Sequence, residues 1–436
     1  MSRDGERSGR RRLEPAAPGS KVTPLELFYD LVFVFAFLNV TATNAKYLTP
    51  TALVKSLLIL ALLWFAWTTF VALGNVVRVD QGVMPLVGFA TMIVVFVLAV
   101  TIPDAFSDAP HGLPGDLVFA TCYFLLRALQ VLALWHAVRG DRQLRRRWSG
   151  LVAPALISTA LLLVAALVPQ RLFTGTAEFG ARAGLWLLAI AVEYTVSAVV
   201  RTEDLTIVSA GHWAERHAQI VLIALGESVI SLGTASNLAV GWPPTWPIIL
   251  ASALGIVLIS ALWWVYFDVR AIAAEHMLHS ARGRTRAALA RDAYTYLHLP
   301  MIAGIILFAL GLKRVLTNIA EPTVPSFEDA LSGAEVYVLY GGVILYLLGV
   351  QGFERRAVRR SDWFQVARIV LLTALIPVAD RLSAIAALTL LVLVATALIV
   401  AQSIRTRQLR RRVRTSRLAE QRELEAEETT WRRRHR

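Results

Sequence analysis

The run WPIILASALGIVLISALWWVYFD, from Trp246 to Asp268, carries no charged side chain before its last residue. About 20 apolar residues in an α-helix cross the hydrocarbon core of a bilayer, so this stretch is long enough to span one. Backbone amides in lipid must find partners inside their own segment, and the period-two alternation of a barrel strand is missing, so the span is a helix. Outward from it, similar stretches recur near 24–44, 51–75, 83–102, 116–138, 149–168, 180–200 and 217–238, and again near 289–312, 333–352, 362–379 and 382–402. With 56% of its 436 residues apolar and 17% charged, the chain has the composition of a membrane protein and not of a soluble one. The expectation is an all-α polytopic membrane protein with about twelve transmembrane helices.

Charge placement tests that count, because a span missed or invented would move every later loop to the wrong side. With the N-terminus inside, 35 of the 44 Lys and Arg side chains fall on the inner side and seven on the outer side, while Arg127 and Arg368 lie within spans. An even number of spans with both termini in the cytoplasm follows. The chain then divides into a basic, disordered cytoplasmic arm (1–22), a first six-helix half (23–200), a second six-helix half (201–404) and a charged cytoplasmic tail (405–436). Arm and tail together supply +10 of the formal net charge of +13. Beside apolar spans, such basic residues orient the chain and meet anionic lipid headgroups, so membrane lipids are the expected partners and nucleic acid is not. The lone Cys122 excludes a disulfide framework and a cysteine metal cluster. The first 22 residues have no apolar core of their own, so no secretory signal is read there.

Glu26-Leu-Phe-Tyr-Asp30 opens the first span and Glu215-Arg-His-Ala-Gln219 the seventh, each an acid followed four residues later by a second polar group before an apolar run. The second and eighth spans both end in aromatic segments, Trp64 and Trp67 in one, Trp263, Trp264 and Tyr266 in the other. Two parallel six-helix repeats with a substrate site between them would account for this pattern. At the same two segments the sequence resembles a known family. Thr23-Pro-Leu-Glu26-Leu-Phe-Tyr29-Asp30-Leu-Val-Phe-Val34 is similar to the opening signature of the bacterial low temperature requirement A (LtrA) family, with Tyr29 where members commonly have Phe. Glu215 through Ser228, ERHAQIVLIALGES, is similar to the second signature. The resemblance runs from Val22 to about Gln402 and implies a polytopic bacterial membrane protein, placed here in the cytoplasmic membrane.

Ionisable groups at membrane depth are costly, by roughly 2.5–3.5 kcal/mol on insertion scales, so those retained face a cavity or a partner. Glu227 lies mid-span with Ser231 one turn on, and Gly226 and Gly233 beside them would let another backbone come close. Arg127, with Tyr123 one turn before it, can reach a carboxylate at its own depth, and Glu193 is the other central acid. These residues form either a proton, ion or substrate site, with Arg127 acting on Glu227, or a structural ion pair that sets helix packing. Glu26, Asp30, Glu215, Gln219, Asp268, Asp292 and Arg368 fall near the inner ends of their spans, where they would line a cytoplasmic vestibule or else snorkel singly to water. Thr23, Pro24 and Glu26 also read as a capping box. His298 follows Tyr294 by four residues just before Pro300, as a proton-relay member or a neutral ring bonded to a tyrosine. His212 and His217 are five apart, a spacing that does not put two ligands on one helix face, so no metal is expected.

No phosphate loop, dinucleotide fingerprint, zincin motif or serine elbow occurs, so no cofactor is expected and ATP-driven transport by this chain alone is disfavoured. The sequence therefore points to a secondary transporter or ion-coupled permease for an unidentified small solute. The alternatives are a membrane-embedded enzyme acting on a lipid-soluble substrate, with Glu227, Asp30 or His298 as acid or base, and a membrane sensor or scaffold that moves nothing.

Overall fold

The computed structural model describes residues 21–44, 48–106, 114–138, 152–199, 207–236, 245–320, 333–359, 363–405, 407 and 415. The N-terminal arm expected on the cytoplasmic side, but for its last two residues, and nearly all of the charged tail lie outside the described residues. The helices are α1 (Pro24–Asn44), α2 (Pro50–Val76), α3 (Met84–Val100), α4 (Gly115–Val138), α5 (Val152–Leu167), α6 (Thr176–Val199), α7 (Ala210–Ser236) and α8 (Trp246–Phe267). They continue with α9 (Arg270–Ser280), α10 (Gly283–Leu289), a π-helical turn (Ala290–Tyr296), α11 (Leu297–Ala320), α12 (Gly333–Ala357), α13 (Trp363–Ala379) and α14 (Ala384–Arg405). Among the described residues there is no strand.

Among the described residues, eight helical runs are long and apolar enough to cross a membrane: α2, α4, α5 with the turn after it, α7, α8 running into α9, α10 running into α11, α12 and α14. The 17-residue α3 and α13 are apolar but shorter. The outer surface is that of a membrane protein. Leu86, Ile93 and Leu393 are 61–67% exposed, whereas Arg127, Arg216 and Arg368 are among the most completely buried large side chains. Solvation by lipid outside and by other side chains inside explains this inversion.

Local chemistry sets the helix ends. Pro50 occupies the first turn of α2, and Thr49 caps it by accepting the Ala52 N–H at 3.2 Å. Ser209 caps α7 by accepting the His212 N–H at 3.2 Å, which starts this helix at Ala210, ahead of the expected 217. The extra turns are polar and invisible to a hydropathy scan. The π turn before α11 is followed by Pro300, which has no N–H to give; Trp64 instead donates its indole N–H to the Thr295 carbonyl at 2.7 Å.

Helices α1 to α6 pack mainly among themselves, α7 to α14 do likewise, and α1 and α2 meet α7 and α11. The tightest pair is α11 against α12, where glycines face each other. A Cβ on Gly304 would lie 2.7 Å from the Gly342 carbonyl oxygen, and one on Gly311 would lie 2.6 Å from the Leu339 Cα. Such backbone approach supplies the close packing that hydrophobic exclusion cannot supply between helices in lipid. Gly304→Leu is therefore expected to destabilise the protein by about 1–3 kcal/mol or more. Gly341→Leu, at a position where a Cβ meets nothing within 4 Å, is expected to leave it unchanged. Thermal unfolding in detergent distinguishes the two, and equal midpoints would refute the packing role.

Candidate functional site

Helix α1 begins with a reciprocal cap: Thr23 Oγ1 accepts the Glu26 N–H at 3.3 Å, and Glu26 Oε2 accepts the Thr23 N–H at 2.9 Å. The cap uses one carboxylate oxygen and leaves Glu26 Oε1 facing α7, where His212 Nε2 donates to it at 2.8 Å. One turn deeper, Arg216 donates to both oxygens of Asp30, at 2.7 and 2.8 Å, and Trp67 Nε1 donates to Asp30 Oδ1 at 2.8 Å. The sequence offset is 186 residues in both rungs, so α1 and α7 run parallel through this contact. All four ionisable residues are at most 2% exposed. Burial of four such groups is tolerable because each is met by an opposite or complementary donor in good geometry.

Asn75 of α2 sets the tautomer of His212. Its Nδ2 donates to the Ser209 carbonyl at 2.7 Å and its Oδ1 accepts the Val208 N–H at 2.8 Å, which fixes the amide orientation. The same Nδ2 lies 3.3 Å from His212 Nδ1, so Nδ1 is the acceptor and Nε2 carries the proton that Glu26 receives. Gly74 keeps α2 against this point, because any Cβ there would run into the Glu26 carboxylate.

The next residue of α7, His217, enters an aromatic box. Its ring lies 5.1 Å from Trp67 and 5.3 Å from His298, with Trp64, Trp213 and Tyr294 around it. Nδ1 donates to the Trp213 carbonyl at 2.8 Å, while Nε2 is buried without a hydrogen-bond partner among the described residues. His298 takes the same tautomer: Nδ1 donates to the Ala293 carbonyl at 3.1 Å and Nε2 accepts the Tyr266 hydroxyl at 2.8 Å. Tyr294, the neighbour expected from sequence, stacks on His298 at 5.4 Å, but the hydrogen bond comes from Tyr266 on α8.

The central charges pair differently from the expectation. Arg127 binds Glu193, not Glu227, with two hydrogen bonds of 3.1 Å, and Tyr123 and Ser158 donate to the same carboxylate at 3.2 and 2.8 Å. The remaining Arg127 donor reaches Thr69 at 3.0 Å and Gln130 at 2.7 Å, which closes the network. Glu227 stands apart on α7. Its Oε1 accepts the Ser231 hydroxyl at 2.7 Å and its Oε2 has no partner among the described residues. Gly226 and Gly233 do not admit a neighbouring backbone, since a Cβ on either would meet nothing within 4 Å. They sit away from the packed face that holds Glu227.

The residues expected to share a cytoplasmic vestibule occupy separate places. Glu26 and Asp30 are sealed in the ladder. Glu215 is exposed, accepting from Gln219 at 3.4 Å and from the Val22 N–H, just ahead of α1, at 3.4 Å. Asp292 is held by Arg356 and Arg291, Asp268 caps α8, and buried Arg368 donates to Gln402 at 2.7 Å. Of the residues that built the ladder, sequence reasoning missed Arg216, Asn75 and Trp67 and weighed His212 only as a metal ligand. A signal for two of them was present: bases four apart at 212 and 216 match acids four apart at 26 and 30. Among the described residues no three His, Cys, Asp or Glu side chains converge on one point where a metal could sit.

Fold and site together define a helical membrane protein with a buried charge ladder joining its first and seventh helices. The sequence profile described as Bacterial low temperature requirement A protein (LtrA) matches residues 21–400. The chain belongs to this family. It is 30% identical over 364 residues to "Uncharacterized protein RA0937" of Rhizobium meliloti (strain 1021), covering 80% of this chain and 81% of that one. No solved structure matches it. Asp30→Asn is expected to cost about 3–5 kcal/mol by leaving Arg216 buried with a neutral partner, and adding Arg216→Met is expected to restore most of that loss. Denaturant unfolding of the single and double variants checks this. An additive double variant would show that the two residues do not act as a pair.

Proposed function

We propose that the chain is an ion-coupled secondary transporter of the bacterial cytoplasmic membrane, built of twelve spans in two parallel halves that meet at the ladder. The observation that carries this reading is the buried, half-satisfied carboxylate of Glu227 on the helix that also supplies the ladder. An unpaired carboxylate in a low-dielectric interior has a large desolvation cost, which a proton or a bound cation removes. Glu193, by contrast, is answered on every side and suits a structural pair. Glu227 lies eleven residues beyond Arg216. That is three helical turns, about 16 Å, on nearly the same face.

In this mechanism Glu227 exchanges the coupling ion at mid-membrane. Asp30 and Glu26, with their partners Arg216 and His212, form the gate between the halves, and His217 provides an acceptor between gate and exchange site. Parallel pairing of α1 and α7 supports an even number of crossings between them, as parallel six-span repeats require. The transported solute is small and enters where the halves meet.

A proton current is expected across proteoliposomes when external pH is stepped, and Glu227→Gln is expected to reduce it at least tenfold while Glu193→Gln lowers stability first. Unchanged current in Glu227→Gln would overturn the assignment. The twelve-span topology has its own check, since the native cysteine, Cys122, is buried. Cysteines placed at Thr174 and Arg284 should label from opposite sides of the membrane with an impermeant maleimide, Thr174 from outside; labelling from one side would refute the topology.

A further inference from the structure

A groove of about 440 Å³ runs along the outer surface between α8 and α14, away from the ladder. Its walls are Val257 and Ala261 on α8 and Ile399, Val400 and Ile404 on α14, and the volume lies within the range of ligand sites, roughly 300–1,000 Å³. The hydroxyl that could make its deep end polar is used internally, Thr396 donating to the Val392 carbonyl. At the other end the character changes. Trp264 donates its indole N–H to Ser403 at 3.3 Å, and exposed Arg407 closes the groove.

The groove has the length of one leaflet. From Thr396 to Arg407 is eleven residues, about 16 Å along a helix, against about 15 Å for half of a 30 Å hydrocarbon core. An indole near the polar end matches the interfacial depth that Trp prefers. Arg407 then stands at headgroup level, where a guanidinium can bind phosphate oxygens with two hydrogen bonds. The sequence continues basic after it, with Arg410, Arg411, Arg412 and Arg414, a composition that next to an apolar span favours anionic over zwitterionic headgroups.

We propose that this groove is a specific site for an anionic phospholipid of the tail-side leaflet, one acyl chain lying between α8 and α14 and its phosphate held by Arg407. The site is independent of what the protein transports. It gives α14 a lipid contact along the face that protein leaves open.

The test uses the full chain, delipidated in detergent and examined by native mass spectrometry with phosphatidylglycerol and phosphatidylcholine of identical acyl chains. The native protein should retain phosphatidylglycerol in preference to phosphatidylcholine, and Arg407→Ala should cut that preference about fivefold, the effect of one basic side chain at an anionic surface. Val400→Trp, at a 57% exposed position inside the groove, should lower retention of both lipids while leaving the fold intact. Equal retention of the two lipids by the native chain would mean that any apolar chain fills the groove, and would overturn the proposal. A preference unchanged in Arg407→Ala, or retention unchanged in Val400→Trp, would place the lipid elsewhere and overturn it as well.

Discussion

Two acids on α1 face two bases on α7 at the same four-residue spacing, and the arrangement of the bundle follows from the need to keep all four out of water and in register. A slip of one residue on either helix would rotate a charge by about 100° away from its partner. The ladder therefore sets the rotation, the depth and the direction of α7 against α1. Helix α2 is drawn in as the third member because both rungs need it: Trp67 completes the hydrogen bonds of Asp30, and Asn75 holds His212 in the tautomer that Glu26 requires. The close approach of α2 in turn excludes any side chain at position 74. One electrostatic requirement thus fixes three helices, and α11 is tied to them through the Trp64 bond to a carbonyl beside the π turn.

Helical segments were legible in the sequence because lipid imposes length and apolarity on each segment separately, whatever its neighbours are. The Glu26 capping box was legible for the same reason, being local. The partners of Arg127 were not. Glu193 and Glu227 are both central acids, and choosing between them needs the knowledge that α4 packs with α5 and α6's carboxylate, which no periodicity carries. The start of α7 was misplaced because its first turns, rich in His, Arg and Glu, look like loop until their partners on α1 are known. Arg216 is the sharpest case. Counted by charge placement it belongs among inner loop residues, yet it is fully buried, because Asp30 answers it.

Read along the sequence, the two family signatures look like copies, acid for acid. In the folded chain they are complements: the first contributes the acids, and the second contributes bases from the residues around its own acid, while Glu215 itself stays exposed and accepts the Val22 N–H ahead of α1. The aromatic segments compared in the same way also differ. Trp64 and Trp67 are wholly buried and donate hydrogen bonds into the site, whereas Trp263 and Trp264 are more than a third exposed and only Tyr266 of those three aromatics is buried, donating to His298. Low sequence identity between the segments is what such a division of labour produces, since one side of an ion pair cannot keep the chemistry of the other.

Along α7 several buried polar atoms have no hydrogen-bond partner among the described residues, Arg216 Nε, His217 Nε2 and Glu227 Oε2 among them. Arg216 forks onto Asp30, His217 spends one nitrogen on a backbone carbonyl and leaves the other bare, and Glu227 spends one oxygen on Ser231 and leaves the other bare. Each unmet buried group subtracts about 1–3 kcal/mol that an apolar residue of similar size would not. Glu193 shows that this chain can surround a buried acid completely when packing is the purpose. In the reading proposed above, Glu227 is the incomplete group at which a proton or ion would gain by arriving. That proposal gains from one geometric fact: Glu227 and Arg216, eleven residues apart, lie on the same rigid helix and nearly the same face, so a change at one can reach the α1–α7 contact through a single element.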